Sequence, residues 1–182
     1  MAFTLSTFKS NLTNGGGAAR PNLFKVSIKG TAFPNLSVPT IGEILIKGTS
    51  IPESTIAPAP LTFGGREMKY SGFRTYANWT TTIINDENFT IRMTIQDWMR
   101  QISGQMDGGR DKKFGNYSAA ADGVYNEGVG TVTQVNKDGS DGENYTINNI
   151  WPTSIAEMTV DWSVDGFMEY AVEWCYDTWT HN

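Results

Sequence analysis

Two stretches close to the C-terminus constrain the fold more than anything else in the chain. From 158 to 164, Met158, Val160, Trp162 and Val164 alternate with Thr159, Asp161 and Ser163. From 168 to 177, Met168, Tyr170, Val172, Trp174 and Tyr176 alternate with Glu169, Ala171, Glu173, Cys175 and Asp177. Successive side chains of a strand point to opposite faces, so each stretch predicts a strand with one apolar and one wet face. Two such strands need a second layer over their apolar side. The chain can supply it. Hydrophobic residues make up 39% of its 182 residues, with 6 Trp, 9 Phe and 7 Tyr, enough for the core of one domain spanning 1–182.

The rest of the sequence adds strands and one helix. Phe24-Lys25-Val26-Ser27-Ile28-Lys29 alternates and predicts a strand with Phe24, Val26 and Ile28 on one face. A second apolar run covers Ile41 to Ile46. Between Ile51 and Phe73 the prolines Pro52, Pro58 and Pro60 and the glycines Gly64, Gly65 and Gly72 punctuate strand-like residues. Proline removes ladder donors, so residues 48–74 read as an extended hairpin or loop projecting from the body. Asn78 to Ile84 is β-branched and predicts a strand. Asn85-Asp86-Glu87-Asn88 then offers helix caps, and Ile91, Ile95, Trp98 and Ile102 recur at helical spacing up to Gly104, a candidate C-cap. Residues 1–18, with Asn14-Gly15-Gly16-Gly17, read as a flexible N-terminal arm. Residues 103–130, with Arg110, Lys112 and Lys113, read as a long loop. Strands return at Thr131–Val135 and Tyr145–Ile147, around a turn at Asp138-Gly139-Ser140-Asp141-Gly142. The expected fold is mainly β (α+β): a two-sheet β-sandwich or partial barrel with one flanking α-helix.

Catalytic groups are scarce. The only histidine, His181, is penultimate, which removes triads with a central His, and one cysteine, Cys175, permits no intrachain disulfide. His and Cys are too few for a zinc site. The Gly-rich arm has no following Gly-Lys-Ser/Thr, as a phosphate loop requires. The run Asn136 to Glu143 has the look of a calcium loop, but Ile147 stands where the bidentate Glu belongs. Glu169, Glu173 and Asp177 are four residues apart, roughly 13 Å in a strand, too far for a paired-carboxylate glycosidase. A solvated acidic stripe is the better reading. Trp79, Trp98, Trp151, Trp162, Trp174 and Trp179 fall mostly on apolar faces, which favours core packing over stacking platforms for sugars or bases. The expectation is no enzyme, no cofactor and no metal.

Net charge is -5 with a pI near 4.8, unsuited to gripping phosphate backbones, although an acidic protein can still enclose nucleic acid. The first residues hold no basic segment followed by an apolar run, so no secretory signal is expected. No stretch reaches membrane-span length, so no membrane anchor is expected either.

Three blocks carry a resemblance. They are Ala19-Arg20-Pro21-Asn22-Leu23-Phe24; Ala77-Asn78-Trp79-Thr80-Thr81-Thr82-Ile83-Ile84-Asn85-Asp86-Glu87; and Asn149-Ile150-Trp151-Pro152-Thr153-Ser154-Ile155-Ala156-Glu157, continuing through Val160-Asp161-Trp162 to Tyr176-Asp177-Thr178-Trp179. In this order, over 19–179, the chain resembles the tail tube protein family of contractile-tailed bacteriophages. It departs from that family at the Gly-rich arm and at 103–130. The resemblance implies a tube fold in which six copies form a ring whose strands line a lumen. Rings stack inside a contractile tail sheath, from baseplate tube-initiating proteins to a tail terminator. Viral DNA passes through without specific binding, and the protein belongs to the virion after assembly in the host cytoplasm. A tube or needle subunit of a related secretion system or bacteriocin is the nearest alternative. A carbohydrate-binding β-sandwich is the alternative from another class.

On this reading the expected inter-subunit or inter-ring contacts are Ile51, Pro52, Phe63, Arg66, Tyr70 and Phe73 of the projecting hairpin. Asp161, Glu169, Glu173 and Asp177 form the acidic stripe that faces the lumen or the sheath.

Overall fold

A computed structural model describes residues 4–14, 17–30, 45–102 and 128–181. The described residues form two helices, α1 (Leu5–Asn14) and α2 (Thr90–Ile102). They also form nine strands: β1 (Phe24–Gly30), β2 (Ile46–Thr49), β3 (Thr55–Phe63), β4 (Arg66–Thr75), β5 (Trp79–Ile84), β6 (Gly128–Val135), β7 (Asp141–Ile155), β8 (Glu169–Cys175) and β9 (Thr178–His181). All pairings are antiparallel. Seven strands join in the order β1-β6-β7-β8-β5-β2, with β9 also on β7, while β3 and β4 pair only with each other.

One strand organises the body. The first half of β7 pairs with β6 and β9, and its second half pairs with β8. The change occurs at Asn149, whose φ of 56° lies in the left-handed region and where the β6 register slips between Gly128 and Val129. A bulge bends and twists a strand, so β7 serves two sheets that face each other over a common core. The bend brings backbones close together: a Cβ on Gly128 would stand 2.5 Å from the Ile150 carbonyl oxygen and 2.6 Å from the Trp98 ring. Asp177 fastens the corner, since Asn149 Nδ2 donates to its carboxylate at 2.9 Å.

The core draws on both sheets and α2. Val26, Ile28, Val132, Ile147 and Ile150 meet Trp79, Ile83, Tyr170, Val172 and Trp174, and Ile91, Ile95, Trp98 and Ile102 of α2 cover one side. Each such side chain contributes roughly 1.5–3 kcal/mol by leaving water. Trp174 lies between Trp79 and Trp98, and its Nε1 donates to Thr81 Oγ1 at 2.9 Å, which satisfies the one buried polar side chain in the described core. Helix α2 starts where Asp86 caps it: Thr90 N donates to Oδ2 at 2.9 Å and Ile91 N to Oδ1 at 3.3 Å. Burial pushes that carboxyl up, but these amide bonds and one from the Thr90 side chain outweigh it and hold it below the ordinary value.

Several expectations need correction. The arm is not simply flexible, because residues 5–14 form a second helix, none of whose residues is buried. The strand expected at 158–164 does not form. The ladder runs no further than Ala156 N to Ala171 O, and the chain then turns with Ser163 N and Oγ donating to Asp161 Oδ1. Val160, Trp162 and Val164 are exposed, so Trp162 is not a core residue. Strand β6 begins at Gly128, inside the expected loop, because its glycines fit against Ile150 and Trp79. Strand β7 covers 15 residues and not three. Of the run Ile41 to Ile46 only Leu45 and Ile46 lie within the described residues, as does none of Gly104, Arg110, Lys112 and Lys113.

Candidate assembly surfaces

Strands β3 and β4 form a ribbon in which every residue but Gly72 is exposed. Gly64 and Gly65 make its tip with φ of 58° and 78°, and Phe63 pairs with Arg66 across them. Two positive φ angles define the tight turn whose twist suits a hairpin, and glycine takes them without strain. Residues paired across a ladder share a face, so Phe63–Arg66, Leu61–Met68 and Ala59–Tyr70 lie together, while Thr62–Glu67, Pro60–Lys69 and Pro58–Ser71 lie on the other side. The ribbon is therefore two-faced. One side offers Ala59, Leu61, Phe63, Met68 and Tyr70 to solvent, and the other is largely polar. The prolines fit because this ribbon has only one partner per strand, leaving outward amides unneeded.

The expected contact residues divide. Phe63 at 78% and Phe73 at 91% exposure, with Tyr70 and Ile51, are open surface. Arg66 flanks the tip opposite Phe63. Pro52 is buried and so cannot be a contact: it sits where the ribbon root meets the body. That root is pegged by aromatic donors. Trp79 Nε1 donates to the Ser50 carbonyl at 2.8 Å, and Tyr176 Oη and Trp179 Nε1 donate to the Glu53 carbonyl at 3.2 and 3.4 Å. Burial, then the Glu53 charge, pushes the Tyr176 phenol up, so it stays a donor. Sequence reasoning placed these rings in the core by periodicity, and no local signal marks them as anchors.

The acidic stripe is less uniform than expected. Glu169 and Glu173 share the outer face of β8, but Glu169 accepts from Lys47 Nζ at 2.7 Å. Asp177 lies past the strand end, engaged by Asn149. Asp161 belongs to the turn after β7, where bonds from Ser163 N and Oγ hold its carboxyl below the ordinary value. The four carboxylates do not form one face.

No constellation for chemistry emerges from the described residues, which include no group of three or more His, Cys, Asp or Glu able to hold a metal. Burial pushes the Tyr170 phenol up to about 12 despite Arg92, whose guanidinium carbon sits 4.9 Å over its ring. Such a phenol stays protonated and is no base at neutral pH. Among the described residues no helix is long and apolar enough to cross a membrane.

The chain that folds into this body and ribbon matches a family model over most of its length: the phage tail tube protein family fits residues 19–182. The chain belongs to that family. It is 28% identical over 170 residues to the tail tube protein of Enterobacteria phage T4, covering 90% of this chain and 92% of that one. Its fold is shared with a chain of the anti-feeding prophage baseplate, at a TM-score of 0.65 and 12% identity, over 91% of this chain and 95% of that one. It is shared too with a chain of the sheath–tube complex of an extracellular contractile injection system, at 0.62 and 14%, over 100% and 99%. This is a phage tail tube protein, a structural component of the tail.

Proposed function

We propose that the chain works as a polymer subunit and not as an enzyme: six copies close into a ring, and rings stack into a hollow tube that conducts viral DNA. The observation that carries this reading is the ribbon, an apolar face on a well-packed body that nothing among the described residues covers. Isolated two-stranded ribbons are marginal in water, so one held out from its body is stabilised by packing on a neighbour. Ile51, Phe63, Arg66, Tyr70 and Phe73 are its contacts to the adjacent subunit or ring. Free edges of β1 and β2 within the described residues are satisfied by sibling copies, which removes the hazard of open strands.

The partners follow from the family and from where the fold recurs, in a baseplate, a sheath–tube complex and a tube terminator. The tube sits inside a contractile sheath, starts on baseplate tube-initiating proteins and ends at a terminator, after assembly in the host cytoplasm. With -5 per copy, a ring of six carries about -30, and a wall that does not attract phosphates lets hydrated duplex slide. Glu173 is the lumen or sheath candidate with no charged partner assigned above, and Glu169 is half-neutralised by Lys47. Burial of Trp79, Trp98 and Trp174 speaks against the sugar-binding reading. The phage relatives favour a virion over a secretion needle.

Negative-stain microscopy of the purified protein tests the reading: hollow rings or tubes are expected. A monomer that stays single at all protein and salt concentrations overturns it.

A further inference from the structure

The turn between β7 and β8 presents an aromatic group in an acidic setting. Trp162 is 108% exposed, and Val160, Val164 and Phe167 beside it are exposed as well. Local hydrogen bonds shape the turn: Ser163 N and Oγ donate to Asp161 Oδ1 at 2.9 and 2.7 Å, and Val164 N donates to the Asp161 carbonyl. A fully solvated indole is a costly feature for a monomer and a common kind of anchor at an interface. Glu157, Asp161 and Asp165 surround it with no cation in the segment.

A receptor of opposite character lies elsewhere on the same chain. Between α1 and the β6–β7 turn is a cleft of about 480 Å³ lined by Leu12, Thr13, Ala18, Ala19, Arg20 and Lys137, with Gly17. Its charged lining residues are both cations. The adjoining cleft continues along Leu23 and Val135 and reaches Asp138 and Glu143. The wall is pinned in place, because Gln134 Nε2 donates to the Arg20 and Leu23 carbonyls at 3.0 and 2.7 Å and Val135 N donates to the Leu23 carbonyl.

Anchor and cleft sit at opposite ends of one strand. Strand β7 starts beside the cleft, where Asp141 pairs with Val135, and ends at Ile155, just before the Trp162 turn. Fifteen residues of strand separate the two surfaces along β7, with the bend at Asn149 between them. Charge also separates along the sequence, although Asp138, Asp141 and Glu143 of the acidic part lie at the cleft end of β7. All 14 Lys and Arg fall in residues 1–137 with 10 of the 19 acidic residues, a balance of +4, which leaves nine acids and no base in 138–182, a balance of -9.

We propose that the Trp162 turn of one copy docks in the Leu12–Arg20–Lys137 cleft of the next, a head-to-tail contact between tube subunits. The occupant is a second copy because anchor and cleft match in charge and lie at opposite ends of β7, so that the contact repeats from copy to copy, as heterologous contacts do. This inference rests on the tube reading.

The test uses the full chain in a Cys175→Ser background, so that no native thiol interferes. Val164→Cys and Thr13→Cys, both exposed positions, are combined, the protein is assembled and then oxidised. A covalent ladder beyond dimer is expected from the double variant and from neither single one. Trp162→Ala raises the concentration for half-assembly by roughly 30-fold, the effect of losing an interface anchor. Glu157→Lys with Asp165→Lys impairs assembly, and adding Arg20→Glu with Lys137→Glu restores it. Tubes that form without a ladder, or with no loss in Trp162→Ala, overturn the docking and leave the tube reading intact. A wild-type chain that never assembles overturns both.

Discussion

In β5 and β8 every second residue is sealed in the core: Trp79, Thr81 and Ile83 on one strand, Tyr170, Val172 and Trp174 on the other. In β3 and β4 the same alternation sets Leu61, Phe63, Met68 and Tyr70 on one face, and all of them remain in water. The body strands meet two sheets and a helix over a common core, whereas among the described residues the ribbon strands pair only with each other. A period of two specifies which residues share a face. It does not specify whose surface covers that face. In the body the cover is intramolecular, so its residues determine stability; on the proposed reading the ribbon is covered by a neighbour, and its residues would then determine assembly.

Substitutions should separate the two regions sharply. The largest loss of stability is expected from Trp174→Ala, which empties a site between Trp79 and Trp98: about 3–5 kcal/mol by urea unfolding. Recovery of that loss within the error of measurement would mean the body is not the packed unit described. Thr81→Val keeps the volume but strands Trp174 Nε1, and should cost about 1–3 kcal/mol. Asp86→Ala removes the cap of α2 and should cost about 1 kcal/mol at neutral pH. Because the folded Asp86 value is depressed, its contribution is present above the ordinary value of 3.8 and fades as pH falls through the lower folded value. The wild-type advantage over the variant should therefore shrink on acidification, and an advantage that grows there would refute the cap. The smallest effect on stability, under about 0.5 kcal/mol, is expected from Leu61→Ser with Phe63→Ser on the ribbon. That pair should nonetheless abolish tubes in micrographs. Shortening the ribbon to residues outside 57–72, with the Ser50–Glu53 root kept, should do the same to a body whose melting is unchanged.

Much of this contrast was legible in the residues. The Pro- and Gly-punctuated segment reads as a hairpin because proline disqualifies it from a central strand. The helix from Thr90 reads cleanly because Ile91, Ile95, Trp98 and Ile102 keep its period and Asp86 precedes it. The root of the ribbon was not legible: Tyr176 and Trp179 are 123 and 126 residues from the Glu53 carbonyl they hold. The local partners of the acidic stripe were not legible either. Asp161 and Asp177 are spoken for by Ser163 and Asn149, and spacing along a strand says nothing of such partners.

By itself the sequence determined the period of each strand, the cap and apolar stripe of α2, the poverty in catalytic groups and the family. Those are local or compositional properties, written within a few residues of one another. Tertiary structure alone decided that β7 bends at Asn149 to serve two sheets, that Pro52 is buried, and that Trp162, in a pattern as strand-like as that of Trp174, stands in solvent. The two tryptophans carry the same alternation, but β5 and β7 flank only one of them, and burial follows from which backbones find each other across the chain.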